Sequence, residues 1–236
     1  MRHSAPTTAP PPRERERRDP AATRQALLHA GAELFSERGF DGVPIEDIAQ
    51  RAGVNKALIS YHFRGKRGLY VAILQSAFAE MAARLEAIEA KAKNTRQALR
   101  AFLEAFAQLT RERPGFPTLF LREVLAGGIE PSVLPSLLAI IGVSRRLAER
   151  GAREGLFRRV DPLLLHFALV GSLVFFFSTE PARLRAAAQG LVPFAMPDSS
   201  AFVRYLEEIT LRGLAPSGRT PGVAHPPSNR RKGARA

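Results

Sequence analysis

From Asp19 to Leu214 the apolar residues of this chain recur three and four positions apart, and no β-branched stretch alternates with period two. Spacing of that kind gathers apolar side chains on one side of a helix, so the chain is confined to an all-α fold. Asp19-Pro20 supplies a side-chain cap and a first-turn proline. A helix then carries Leu27, Leu28, Ala30, Leu34 and Phe35 inward until Gly39 stops it. "IEDIAQRA" gives a short second helix with Ile45, Ile48, Ala49 and Ala52 as its inner stripe. Gly53 breaks the chain, Asn55 caps a third helix to about Phe63, and a long fourth helix covers 66–92. Further helices are predicted over 95–112, 116–126, 131–152, 162–178, 182–189 and 199–213. Pro114-Gly115, Gly127-Gly128, Gly155, Glu180-Pro181 and "VPFAMPD" separate them.

Two short helices joined by a glycine-containing turn form a helix-turn-helix. Ile48, Ala49, Ala52, Val54, Ile59 and Phe63 pack the pair together, and Ala49 and Gly53 are small where the backbones meet. Asn55, Lys56, Ala57, Ser60, Tyr61 and His62 are left facing out. Small residues that tolerate a groove floor, flanked by donors for phosphate, are what a recognition helix in the major groove needs. Charge agrees. The formal net charge is +13, and from Arg51 to Tyr70 there are five basic residues and no acidic one. A surplus of this size attracts polyanions. An arginine-rich composition without function, or a nonspecific basic DNA-binding protein, would also give it.

The block "TRQALLHAGAELFSERGFDGVPIEDIAQRAGVNKALISYHFRGKRGLYVAIL", residues 23–74, resembles the DNA-binding domain of TetR/AcrR-family transcription regulators. The likeness lies in "ALLHAGAELFSERGF", "IEDIAQRAGV" and "SYHFRGKRGLY", in that order. It implies a three-helix, homeodomain-like DNA-binding domain over 19–65 and a linking helix over 66–92. A larger helical ligand-binding and dimerisation domain over 93–215 completes the architecture. By position, Asn55 opens the recognition segment, Lys56 and Ala57 fall where that helix touches base edges, and Ser60 stands where tyrosine is common. Tyr61 and His62 match aromatic positions that reach bases or phosphates, and Lys66 matches a phosphate-contacting lysine. Pro44 departs from the usual Ser or Thr and offers no hydroxyl. Glu46 is either a solvated first-turn glutamate or a group accepting from a cytosine amino group. Tyr61 could instead lie half-buried against the fourth helix, Leu58 at the edge of the first, and Arg64 and Arg67 on phosphate or in solvent.

The remaining helices are rich in phenylalanine. The resemblance implies an apolar pocket for a small lipophilic or aromatic effector, with Phe102, Phe106, Phe120, His166 and Phe175 as candidates and Gln108, Arg122 and Glu123 as orienting groups. His166 could equally be a satisfied core or interface histidine. "PLLLHFALVGSLVFFFS" is too short for a membrane span and reads as a buried helix. The resemblance pairs the helices near 162–178 and 199–213 with their mates in a homodimer, where Gly171 and Ser172 permit close approach. Such a dimer presents two recognition helices to a palindromic operator on double-stranded DNA.

Enzymatic chemistry finds no foothold. There is no cysteine, no HExxH, no Gly-rich phosphate loop and no GxSxG, and the histidines at 3, 29, 62, 166 and 225 are scattered. No cofactor or metal is expected, a helical enzyme remains the weakest alternative, and no secretory signal opens the chain. A cytoplasmic regulator with polar tails at 1–18 and 216–236 is the expectation.

Overall fold

A computed structural model of the chain describes residues 19–216, apart from Pro114 and Ala126. The tails expected at 1–18 and 216–236 lie outside the described residues, Pro216 excepted. Among the described residues there are helices and no strands. Helix α1 (Pro20–Arg38) begins where Asp19 accepts from the Ala21 N–H at 2.9 Å, and it ends at Gly39. Helix α2 (Ile45–Ala52) follows Pro44, whose side chain makes no capping bond, and ends at Gly53 in the left-handed region. Helix α3 (Ala57–Phe63) and helix α4 (Lys66–Lys91) follow in quick succession.

The other half is built from α5 (Thr95–Glu112), α6 (Phe116–Leu125), α7 (Leu134–Arg153), α8 (Pro162–His166), α9 (Ser172–Ala188) and α10 (Ser199–Leu214). Asn94, Asp161 and Asp198 cap α5, α8 and α10 through their side-chain oxygens. One continuous apolar core runs from Leu27 to Leu214. Helix α4 is its axis: it packs on α1 and α3 at one end and on α5 and α7 along the rest.

Two expectations need correction. Glu180-Pro181 does not end a helix. Helix α9 runs through Pro181, although proline removes the N–H that would reach the Phe177 carbonyl. Side chains supply donors around the gap. Thr179 Oγ1 donates to the Phe175 carbonyl at 2.8 Å, and Arg183 Nη1 donates to the Phe176 carbonyl at 2.9 Å.

Secondly, the apolar run is not a buried helix. It belongs to a continuous rod, Pro162–Ala188, whose 27 residues are long and apolar enough to cross a membrane. A π-helical turn over Phe167–Gly171 joins α8 to α9. Leu165, Leu169, Leu173, Val174, Phe176 and Phe177 are committed to the core, whereas Leu164, Phe167 and Phe175 stand 67, 64 and 67 % exposed. A sequence apolar on every side cannot say which side the rest of the chain will cover.

Candidate nucleic-acid interface

The turn between α2 and α3 is held by backbone bonds from Gly53 N to Gln50 O and from Val54 N to Ala49 O, each 3.0 Å. Asn55 Oδ1 accepts from the Ala57 N–H at 2.8 Å and starts α3. Inward, Ile59 and Phe63 join Ile48 and Ala49 in the core. Outward, Asn55, Lys56, Ala57, Ser60 and Tyr61 are exposed, and His62 and Lys66 are partly so. Tyr61 is 78 % exposed and so is not tucked against α4. It stands edge-on to the His62 ring, with centroids 4.9 Å apart. Leu58 packs against the core.

The basic residues around α3 do not all behave alike. Lys66 holds its ammonium 4.5 Å from the centre of the Phe40 ring. Arg67 is drawn away from α3, with Nη2 at 2.7 Å from Glu130 and 3.9 Å from Glu123. Its side chain stays 57 % exposed, but its charge is paired with these two acids. Arg64 is exposed and takes a left-handed backbone, φ 62°, which is unusual for a residue with a Cβ. Glu46 and Lys56 form a pair that sequence spacing does not reveal, Nζ to Oε1 at 3.0 Å. The Lys56 hydrogen bond holds the Glu46 carboxyl below its usual range. Glu46 lies in the first turn of α2 and Lys56 just before α3, and only the folded helix pair brings them together.

At the far side of α4, Tyr70 is buried and stands edge-on to Phe35 and Phe40. Its hydroxyl donates to Glu123 Oε2 at 2.8 Å. Burial first, and then the Glu123 charge, push the phenol well above its ordinary range. Glu123, expected as an orienting group for a ligand, is instead tied to α4.

The five residues expected around a ligand are not brought together. Phe102 and Phe106 are buried in the core face of α5. Phe120 stands edge-on to Phe78, as does Phe116. His166 is buried with Nδ1 3.0 Å from Ser144 Oγ, and burial depresses its pKa. Phe175 lies on the open face of α9. A cleft of about 490 Å³ opens elsewhere, where α1 meets α4 and the start of α6. Its apolar side is Leu28, Ala32, Ile73, Ala77, Phe116 and Leu119.

Comparison with known proteins agrees with this arrangement. Residues 27–73, spanning most of α1 to the first part of α4, match the profile "Bacterial regulatory proteins, tetR family". Residues 96–190 match "Tetracyclin repressor-like, C-terminal domain". Together the two profiles cover more than half of the chain. The chain belongs to the TetR family of transcriptional regulators.

Its TetR-family relatives include the HTH-type transcriptional repressor NicS of Pseudomonas putida, 27 % identical over 81 % of this chain and 92 % of NicS. The regulator RutR of Escherichia coli is 29 % identical over 64 % of this chain and 72 % of RutR. Among solved structures, the TetR-family regulator PfmR of Thermus thermophilus superposes with a TM-score of 0.63 at 25 % identity, over 80 % of this chain and 99 % of PfmR. The TetR profiles leave α10 outside their bounds, beyond residue 190.

Proposed function

We propose that this TetR-family regulator is a ligand-responsive repressor that grips a palindromic operator as a homodimer. A small lipophilic effector releases it. The observation that carries this reading is the exposed face of α3, where small and aromatic residues stand among basic ones with Ile59 and Phe63 locked beneath. On that face Asn55, Lys56, Ala57, Ser60, Tyr61 and His62 enter the major groove, while Lys66 and Arg64 flank phosphates. The protein acts by binding rather than catalysis, in the cytoplasm where its DNA lies. NicS, a relative similar over most of its length, is named a repressor.

Two such faces are needed for a palindrome, and the open side of the 162–188 rod supplies a way to pair them. Leu164, Phe167 and Phe175 there, with Tyr205 and Ile209 on α10, are large apolar side chains left to solvent in one protomer. Burying them against the same surface of a second copy makes a self-complementary seam.

Release works through α4. Its first turn adjoins α3, Tyr70 and Arg67 bind it to Glu123 and Glu130 beside α6, and Ile73 and Ala77 face the 490 Å³ cleft. A lipophilic molecule entering that cleft and pressing on Phe116, which packs edge-on to Phe78 of α4, shifts α6 and α4 together. Only an effector that binds the two arrangements unequally moves their balance, each tenfold preference being worth about 1.4 kcal/mol.

The test is selection of bound fragments from random duplex DNA with the full chain. Recovery of a palindromic site, and loss of its binding in Lys56→Ala/Tyr61→Ala, is the expected result. Equal affinity for random and selected DNA at every salt concentration would leave only a nonspecific basic binder. Lipophilic compounds are then screened for release of the recovered site.

A further inference from the structure

We infer that Glu46 and Lys56 act as one reading head, and that each operator half-site holds a G·C base pair beneath them, guanine under Lys56 and cytosine under Glu46. This rests on the proposed insertion of α3 into the major groove and goes on to say what part of the sequence is read there.

Glu46 lies in the first turn of α2 and Lys56 immediately precedes α3, so the side chains meet at the groove-facing entrance of the helix pair. They are 3.0 Å apart, and their side chains are 60 and 64 % exposed. Neither is covered by the other described residues. The neighbouring acid Asp47 is turned away, bound to Arg38 at 2.7 Å. A lone carboxylate on a surface that meets phosphates is repelled by them. One bound to a lysine presents instead a donor and an acceptor side by side.

The base-pair edge supplies the complement. In the major groove guanine offers two acceptors, O6 and N7, and cytosine offers the N4 amino donor. O6 and N4 are hydrogen-bonded to each other in the pair, so they stand about 2.9 Å apart. That matches the spacing of Lys56 Nζ and Glu46 Oε1. An ammonium has three N–H groups. One stays on Glu46, leaving two for O6 and N7. The carboxylate keeps lone pairs for the outward N4 hydrogen.

The other pairs fit less well, in a definite order. T·A with thymine under Lys56 keeps the central acceptor and donor, O4 and N6. It sets a methyl group where N7 stood and turns adenine N7 on the carboxylate. A·T and C·G in this orientation invert the central pattern, so like meets like at both atoms. The ranking is therefore G·C, then T·A, then the two inverted pairs.

The experiment uses the full chain of 236 residues. Wild type, Glu46→Ala, Glu46→Gln and Lys56→Ala are each put through selection from random duplex DNA. Fluorescence anisotropy at one fixed salt concentration then follows the wild-type site and its single base-pair variants. We expect one invariant G·C pair per half-site in the wild-type selection. Inverted pairs there should bind roughly tenfold or more weakly, with T·A between. Glu46→Ala should remove the part of that preference set by cytosine N4, leaving only the guanine preference that Lys56 reads alone, while other positions keep theirs. Glu46→Gln, nearly isosteric and able to donate as well as accept, should reduce the penalty for the inverted pairs to the part that Lys56 sets.

A uniform change of affinity across all variants in Glu46→Ala would mean that Glu46 only steers Lys56, and would overturn the reading head. So would a recovered site with no position that responds to Glu46. If the wild-type chain enriches no sequence, the regulator reading itself fails, which is a different result from either.

Discussion

Gly68 has no room for a Cβ: one built there would lie 1.7 Å from the Phe63 carbonyl oxygen. The first turn of α4 thus rests on the last carbonyls of α3, and only glycine lets the two backbones meet. Gly68→Ala should lower unfolding stability by about 1–3 kcal/mol, the usual range for overpacking. It should also weaken DNA binding, since α3 must move to relieve the clash. Thermal melting and anisotropy on the same sample check both. His166 allows a pH prediction. It is buried beside Ser144, and burial depresses its pKa below the ordinary 6.5. Below that pH the unfolded chain binds a proton that the folded chain refuses, so stability rises with pH until about 6.5 and then levels. The midpoint of denaturant unfolding should climb as pH rises towards about 6.5, and His166→Gln should flatten the climb. A slope unchanged in the variant would assign it to other groups.

At the scale of elements, caps and turns are legible in the sequence because they are short-range. Asp19, Asn94, Asp161 and Asp198 each bond a backbone N–H two or three residues on, and Gly53 turns left-handed where the turn requires it. What holds α4 to α6 is not short-range. Tyr70 and Glu123 are 53 positions apart in the chain. Nothing in the spacing marks that carboxylate, whose side chain is 14 % exposed, as a structural anchor rather than a ligand group. Tyr70→Phe leaves it without its phenol donor, at a cost of about 1–3 kcal/mol. If the link also carries effector response, the same variant should shift the effector concentration needed to release operator DNA by more than threefold. Urea unfolding and release titrations measure the two effects separately. A stability loss with an unchanged release curve would make the bond structural only.

For the whole molecule, the open side of the 162–188 rod is the decisive surface. A monomer seldom leaves so many large apolar side chains uncovered together. Phe167→Asp/Phe175→Asp should leave the fold of one protomer intact, because both side chains are already exposed, and changes at such positions stay within about 0.5 kcal/mol. Sedimentation at micromolar concentration should then find a monomer where wild type is a dimer. Operator affinity should fall steeply, with the helical circular dichroism spectrum kept. A variant that still sediments as a dimer would move the seam elsewhere.

The order of helices, their caps and the residues turned outward on α3 were determined by the amino-acid sequence alone. Each follows from interactions within a turn or two, or from a hydrophobic stripe that has only one way to face. Partnership was decided by the tertiary structure. It brought Glu46 to Lys56 and Arg67 to Glu130. It also left Phe175 outside while Phe176 and Phe177 went in. Where a segment is apolar all round, or a charge has several reachable mates, local chemistry gives equal reasons for each choice. Only the packing of distant helices around α4 breaks the tie.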